Sequence, residues 1–571
     1  MINIDIIREE TGEKIHIAQE IEGKTLLTLL QDQGIYVDAF CGGSGECGRC
    51  RVRFLKGAAE PAGKELRVLT PEELSVGVRL ACATKPTVDC AILLSSGKQE
   101  EIKVLNHGGE RERAEYLSGR QAIIRQQSNY SEQESAEDDK NLSSYGIAVD
   151  IGTTTLAAAL VDMRDGRQIG VETSINHQRA YGADVISRIQ AANEGKGIFL
   201  QKSIDTDLKV LLERLMQQAG ITRSQIEKVV IAGNTTMCHL LRGLSCEGLG
   251  VTPFTPTDNS LWEGSLVELL GESEVSAGIE VSGEMENIVE AKWHAKAVIL
   301  PGISAFVGAD IVAGIYASGM QESTDITMLL DIGTNGEMVL GNRDGLLVTS
   351  AAAGPVFEGG NIACGVPGIA GAVSHVTITE DGTCNYETIG NETPVGICGS
   401  GIIDAVSELV RLGVIDENGT LADAWFENGY PVAGENIVFT QRDVREIQMG
   451  KSAIRAGIET LLTEYGKGCA DRSETVMQPA DAGNCQQIFL AGGFGYYMDV
   501  DKAIRMGLFP ETFAGKVNSL GNSALEGTKK YLLTEESEAR KAVERIVASA
   551  KEINLALHPA FNEFYMQYMF F

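Results

Sequence analysis

Four cysteines are spaced so that their thiolates can gather around one inorganic core: Cys41, Cys47, Cys50 and Cys82. The first three follow a C-x5-C-x2-C spacing in AFCGGSGECGRCRV, and the fourth lies further along in RLACAT. An iron–sulfur cluster needs four such ligands, three from one loop and one from a distant strand or turn. Here the first gap is one residue longer than in the C-x4-C-x2-C…C pattern. Gly42, Gly43, Gly45 and Gly48 allow the loop backbone to wrap closely and turn N–H groups toward sulfur. Two other readings stay open, four unconnected thiols or a zinc site. Zinc sites usually pair their ligands as two C-x2-C knuckles, and Cys82 has no such neighbour, Cys90 being too far along in an expected strand. The other eight cysteines (Cys90, Cys238, Cys246, Cys364, Cys384, Cys398, Cys469 and Cys485) are scattered and read as small buried side chains.

A second constellation is a repeat. Val149-Asp150-Ile151-Gly152-Thr153-Thr154 recurs as Leu330-Asp331-Ile332-Gly333-Thr334-Asn335. A strand ending in Asp-x-Gly-Thr offers a tight turn whose N–H groups and hydroxyls can surround phosphate. The strand-end aspartate can hold Mg2+, usually through water. One such turn alone could be ordinary punctuation; two, followed by Leu490-Ala491-Gly492-Gly493-Phe494-Gly495, imply two related lobes. That order resembles the superfamily of acetate and sugar kinases, heat-shock chaperone ATPases and actin (ASKHA, with an RNase H-like core). The resemblance implies a first phosphate element at Asp150, Gly152, Thr153 and Thr154, and a second at Asp331, Gly333, Thr334, Asn335 and Gly336. It places Gly492 and Gly493 beside adenosine and Glu337 where water or metal is positioned. Asp331, Asp150 and Glu337 are the implied catalytic groups, with ATP and Mg2+ as cofactors. Residues 232–237 and 396–401 either line the cleft or serve close helix–sheet packing. His177, His239, His294 and His375 have no metal-ligand spacing, and neither a G-x-x-x-x-G-K-[ST] loop nor a G-x-S-x-G elbow occurs.

The elements that must position these residues fall into four segments. Residues 1–95 read as a small β-rich domain, with paired strands at Ile2–Ile7 and Lys14–Gln19 and a helix over Thr25–Gln33. Strands at Arg51–Phe54 and Val88–Leu94 follow the cysteine loop. This stretch resembles the adrenodoxin-like variant of the β-grasp [2Fe–2S] ferredoxin fold. Residues 96–143 are polar and charged, a linker in composition, with 114–125 able to form a helix. Residues 144–315 form a middle domain, the first lobe, and 316–571 a C-terminal domain, the second. Buried-strand runs (YGIAVDI, KVVIAG, AVILPG, TMLLDIG, QIFLAGG) alternate there with helices at Ser203–Gln218, Gly401–Leu412 and Lys451–Tyr465. The fold class is thus multidomain, α/β and α+β. The aromatic HPAFNEFYMQYMFF segment is expected to pack back onto the last domain.

Composition narrows the function. The formal net charge is −31, which repels phosphate backbones and anionic lipid, so neither nucleic acid nor membrane is an expected partner. No run of about 18 apolar residues could span a bilayer, and MINIDIIREETGEKIHIAQ alternates apolar and charged residues, unlike a signal peptide. A cytoplasmic location follows as an expectation, in which twelve cysteines are not a disulfide framework.

A one-electron centre, a tether and an ATPase-like body suit uphill electron transfer. Plant-type centres lie near about −400 mV, and each further 59 mV costs roughly 1.4 kcal/mol. The chain as a whole resembles the reductive activators of corrinoid enzymes, through CGGSGECGRC with RLACAT, YGIAVDIGTTT, VIAGNTTM, LLDIGTNGE, PVFEGGNIACG and FLAGGFG. That resemblance implies ATP-dependent, one-electron reduction of an inactive Co(II) corrinoid to Co(I). The implied partners are a corrinoid protein of a methyltransferase, O-demethylase or acetyl-CoA pathway system and an electron donor, with a homodimer allowed. Three rival readings are an activator of 2-hydroxyacyl-CoA dehydratase or benzoyl-CoA reductase, a cluster-regulated kinase or sensor, and a simple electron-transfer module.

Overall fold

The computed structural model describes residues 2–94 (except 10, 11, 13, 20–22, 34, 36, 38, 40–42, 44, 46, 47 and 62), 144–271, 293–470 (except 435–436), 485–492 and 498–571. The first unit is a five-stranded sheet. Ile2–Arg8 runs antiparallel to Lys14–Gln19 and parallel to Cys90–Leu94. Arg51–Lys56 joins the far side and pairs with Val78–Leu80. Alternation decides the register, since Ile2, Ile4 and Ile6 are buried while Asn3 and Asp5 face outward. The helix Leu26–Gln31 is capped by Thr25, whose Oγ1 accepts from the Thr28 N–H at 3.2 Å. It is shorter than Thr25–Gln33, and the expected C-cap at residue 34 lies outside the described residues, as does the 114–125 segment. The strand Val78–Leu80 was not foreseen, because three residues carry too little periodicity to see.

The rest is built on two six-stranded sheets of like topology. In the first, Tyr145–Ile151 lies between a parallel neighbour, Ile226–Gly233, and an antiparallel one, Thr155–Asp162. In the second, Thr327–Ile332 lies between parallel Gln487–Ala491 and antiparallel Gly336–Asn342. The two repeated Asp-Ile-Gly-Thr segments therefore end equivalent central strands. Both strands are apolar along their length because helices cover the sheets. Long helices run over Gly197–Ala219, Gly399–Arg411 and Gln441–Ala470. The last starts ten residues before its expected position; Asp443 in its first turn is buried, its Oδ2 accepting from the Thr440 N–H at 2.8 Å and hydroxyl at 2.7 Å, while Arg442 and Arg445 stay exposed.

The hydrophobic core runs across the expected 315/316 boundary. Helix Ala309–Ser318 packs on Ser523–Leu533 so closely that a Cβ on Gly527 would lie 2.0 Å from the Ala313 carbonyl oxygen. Ile311, Ile315, Leu329, Val348, Tyr531 and Val543 belong to one buried cluster. The aromatic C-terminal segment packs back as expected: Pro559–Gln567 lies on Gln441–Ala470, where buried Lys451 donates to the Tyr568 and Phe570 carbonyls at 2.8 and 2.5 Å.

Candidate functional site

The cysteine site is assembled from a loop and a turn. Cys50 precedes Arg51–Lys56, Cys82 follows Val78–Leu80, and the Ala81 N–H donates to the Cys50 carbonyl at 2.8 Å. Both thiols are buried, with Sγ atoms 3.3 Å apart, near enough for one metal atom to bind both at about 2.3 Å. Cys41 and Cys47 lie outside the described residues. Gly48 has φ +63, and a Cβ there would sit 2.4 Å from Val68 Cγ1, so the loop tolerates no side chain at that point. Sequence reasoning missed Glu65. Fully buried, it accepts from the Leu80 N–H at 2.7 Å and the Thr84 hydroxyl at 3.1 Å, clasping the turn that carries Cys82. A Glu amid apolar and basic residues gave no signal of that role.

The second site lies where the two central strands end. Asp150 and Asp331 face a common cleft with two further carboxyls, Asp310 and Glu337. Burial pushes Asp150 up to about 7, eased by Asn522 and reinforced by Asp331. Asp331 rises to about 7 through burial, then Asp310 and Glu358. Asp310 rises to about 7 through burial and Asp150. Glu337 is held well above the usual carboxylate range by burial, Asp310 and Asp331, although the Ser350 hydroxyl donates to it at 3.1 Å. Among the described residues no Lys or Arg pairs with any of these four, and no three His, Cys, Asp or Glu side chains are close enough to hold a metal ion directly. Asp310 was missed by sequence reasoning. Its signal is an acidic residue in the first turn of an otherwise apolar, buried helix.

The turns themselves are tight. The Gly152 N–H donates to the Thr155 carbonyl at 3.0 Å, and a Cβ on Gly152 would lie 2.6 Å from that oxygen. Asn176 Nδ2 donates to the Gly152 carbonyl at 2.9 Å, and Arg188 Nη2 to the Thr153 carbonyl at 2.6 Å. A trans peptide sets its C=O and N–H antiparallel, so these donors turn the Thr153 and Thr154 N–H groups the other way, where neither has a partner among the described residues. Asn234, from the 232–237 segment, donates to Thr153 Oγ1 at 3.0 Å and so borders this turn. In the second turn the Gly333 N–H donates to the Asn335 carbonyl at 2.8 Å, and the Thr334 hydroxyl to Glu358 at 2.5 Å. Gly336 opens the next strand. Gly492, with φ +85, brings its backbone beside Asp331, a Cβ there falling 3.2 Å from Oδ1; Gly493 lies outside the described residues. Gly401 serves packing instead, since a Cβ would lie 2.3 Å from the Val373 carbonyl. The histidines play local parts: His177 Nδ1 lies 2.6 Å from Asp207, and buried His239 bridges the Thr235 carbonyl and the Thr257 N–H.

Comparison with known proteins agrees with this geometry. Residues 9–87 match the 2Fe-2S iron-sulfur cluster binding domain, which decides against zinc; residues 145–323 match the RACo middle region; and residues 325–571 match the C-terminal domain of RACo, the ASKHA domain. The fold and sites thus define an iron–sulfur enzyme with an ASKHA body. Corrinoid activation enzyme RamQ of Eubacterium limosum is 33% identical over 454 residues, 75% of this chain and 70% of that protein. A Methanosarcina barkeri reductase of a Co(II) methylated amine-specific corrinoid protein is 24% identical, covering 74% of this chain and 76% of its own length. A solved structure, the reductive activator for corrinoid,iron-sulfur protein, superposes with TM-score 0.63 at 28% identity over 99% of this chain and 98% of that one. The chain belongs to the RACo family of corrinoid activators. Among the described residues no helix is long and apolar enough to cross a membrane.

Proposed function

We propose that this enzyme reactivates a corrinoid protein by reducing Co(II) to Co(I), one electron at a time, with ATP driving the step. The observation that carries the nucleotide half is the cleft: two equivalent turns border four half-buried carboxyls that no cationic side chain among the described residues neutralises. A Mg2+–nucleotide complex has the chemistry such a site lacks. Asp150, Asp331 and Glu337 would hold its cation through water, since no direct ligand set exists among the described residues. Its phosphates would meet the Thr153 and Thr154 N–H groups, which have no partner among the described residues, while Gly152, Gly333, Thr334, Asn335 and Gly336 shape the two turns around them. Gly492 and Gly493 then border the adenosine.

For the redox half, Cys41, Cys47, Cys50 and Cys82 are the proposed cluster ligands, and a [2Fe–2S] cluster held by them supplies single electrons. Glu65 and the Cys50 carbonyl keep the Cys82 turn in place, and apolar neighbours such as Leu27, Leu69 and Leu80 exclude water from the buried thiols. The balance is one electron lost by the reduced protein and one gained by cobalt, the donor being a low-potential reductant. We assign residues 1–95 to electron delivery, 96–143 to a tether, and 144–315 with 316–571 to the nucleotide-binding body. Family membership and the corrinoid-directed names of the relatives support a corrinoid protein as partner; we assign it to a methyltransferase, O-demethylase or acetyl-CoA pathway system and place the reaction in the cytoplasm.

The test is anaerobic visible spectroscopy of a candidate Co(II) corrinoid protein with this enzyme and a reductant, ATP present or withheld. Co(I) absorption that grows only with ATP is the expected result. Equal Co(I) yield without ATP would sink the proposal.

A further inference from the structure

We propose that Arg188 is a positioning residue for the first phosphate turn, a buried guanidinium that clamps the Thr153 carbonyl and supplies fixed positive charge behind a nucleotide's phosphates. The inference rests on the nucleotide reading above and deepens it.

Arg188 is 0% exposed, on the short helix Val185–Ala191. Its contacts are Nη2 to the Thr153 carbonyl at 2.6 Å, Nε to the Gly182 carbonyl at 2.9 Å and Nη1 to Met237 Sδ at 3.1 Å. No carboxylate lies within ion-pair distance among the described residues. Buried Lys502, by contrast, pairs with Asp404 at 2.8 Å, while buried Lys451 is held, like Arg188, by carbonyls. A lone buried charge costs several kcal/mol unless something compensates it. Asp184 and Asp207 offset part of that cost from beyond ion-pair distance; an anion seated on the turn that Arg188 grips would supply the rest.

The geometry gives that anion a cradle. Asn176 and Arg188 take two successive carbonyls, Gly152 and Thr153, from one side of the turn. The two N–H groups that remain, Thr153 and Thr154, face the other side as adjacent free donors, an arrangement suited to phosphate. The cleft beyond holds Asp150, Asp310, Asp331 and Glu337, whose ionised forms would repel a polyphosphate. A guanidinium behind the turn offsets that repulsion at the end of the cleft where no Mg2+ is needed. The clamp also reaches Met237, which follows the Asn234 that borders Thr153, so one side chain ties three segments of the turn's surroundings together.

The discriminating measurement is calorimetric binding of Mg2+–ATP and of adenosine to the full chain, purified anaerobically, for wild type, Arg188→Lys and Arg188→Met. Adenosine lacks phosphates, so a purely structural role would weaken both ligands alike. The expected result is ATP affinity in the order wild type, Arg188→Lys, Arg188→Met, with a loss of about 30-fold or more in the last. Adenosine affinity should stay within about threefold, the change left when only phosphate contacts are removed. Unchanged ATP affinity, or parallel loss of both ligands, would overturn the role given to Arg188. Should Arg188→Met fail to fold, an unchanged ATP-to-adenosine ratio in Arg188→Lys overturns it as well. Wild type that binds neither ligand would instead remove the nucleotide reading itself.

Discussion

Asn522 Nδ2 donates to Asp150 Oδ2 at 2.8 Å, although 372 positions separate the two residues. Asn522 also caps the helix Ser523–Leu533, its Oδ1 accepting from the Leu525 N–H at 2.8 Å. One amide thus fixes both a helix start and the aspartate of the first turn. Across the cleft, Asp310, from the first turn of the matching helix Ala309–Ser318, is the strongest acidic influence on Asp331. The two sheets reproduce one arrangement, but one copy presents an amide and the other an acid.

Asn522→Asp keeps a good cap and sets a carboxyl against Asp150. The variant should fold with unchanged circular dichroism and bind Mg2+–ATP about tenfold more weakly, the effect of a roughly 1.4 kcal/mol like-charge penalty. Asn522→Ala loses cap and hydrogen bond together and should cost about 1–2 kcal/mol in denaturant unfolding.

Asp331→Asn should change stability with pH in a set direction. The folded carboxyl titrates at about 7, whereas the unfolded one titrates near about 4. The folded state keeps a proton that the unfolded chain has released, so stability falls as pH climbs between those values and is level above them. The variant lacks this loss. Its melting temperature should exceed wild type by several degrees at pH 8, with the gap closing toward pH 4, while Mg2+–ATP binding is lost.

Cys50→Ser or Cys82→Ser should abolish the cluster. Iron content and visible absorption report this directly, and Mg2+–ATP affinity of the body should stay unchanged. A variant that retained its full iron and colour would exclude that cysteine as a ligand.

Lys451→Met tests the packing of the aromatic tail. Burial, with Arg455 nearby, pulls this amine down to about 7, far below the unfolded value of about 10.4. The folded state therefore sheds its proton first, and wild type should gain stability as pH rises from about 7 toward 10. The variant should lack that gain and, with the Tyr568 and Phe570 carbonyls released, be cut more readily by protease near Pro559.

Much of this was legible in the chain because chemistry and period coincide. Asp150 and Asp331 each end an apolar run, and a run of that kind with Asp-Ile-Gly-Thr after it is visible without neighbours. The cysteine spacing is equally local. Asp310, Glu65 and Arg188 were not legible, for one shared reason: each works through a partner far away in sequence. Glu65 matters through the Leu80 N–H, Arg188 through the Thr153 carbonyl, and Asp310 through carboxyls on other strands. The early start of Gln441–Ala470 was hidden because its first turn is polar, and the burial of Asp443 against Thr440 that anchors it cannot be read from polarity.

The close seat of Gly527 against the Ala313 carbonyl limits how the body can respond to ligand. A methyl group would not fit there, and the apolar cluster continues through both helices into both sheets. Prising the halves apart like the covers of a book would wet that whole seam. Small sliding of one rod along the other, about an ångström or two, would keep it dry, so the seam favours a glide over a gape.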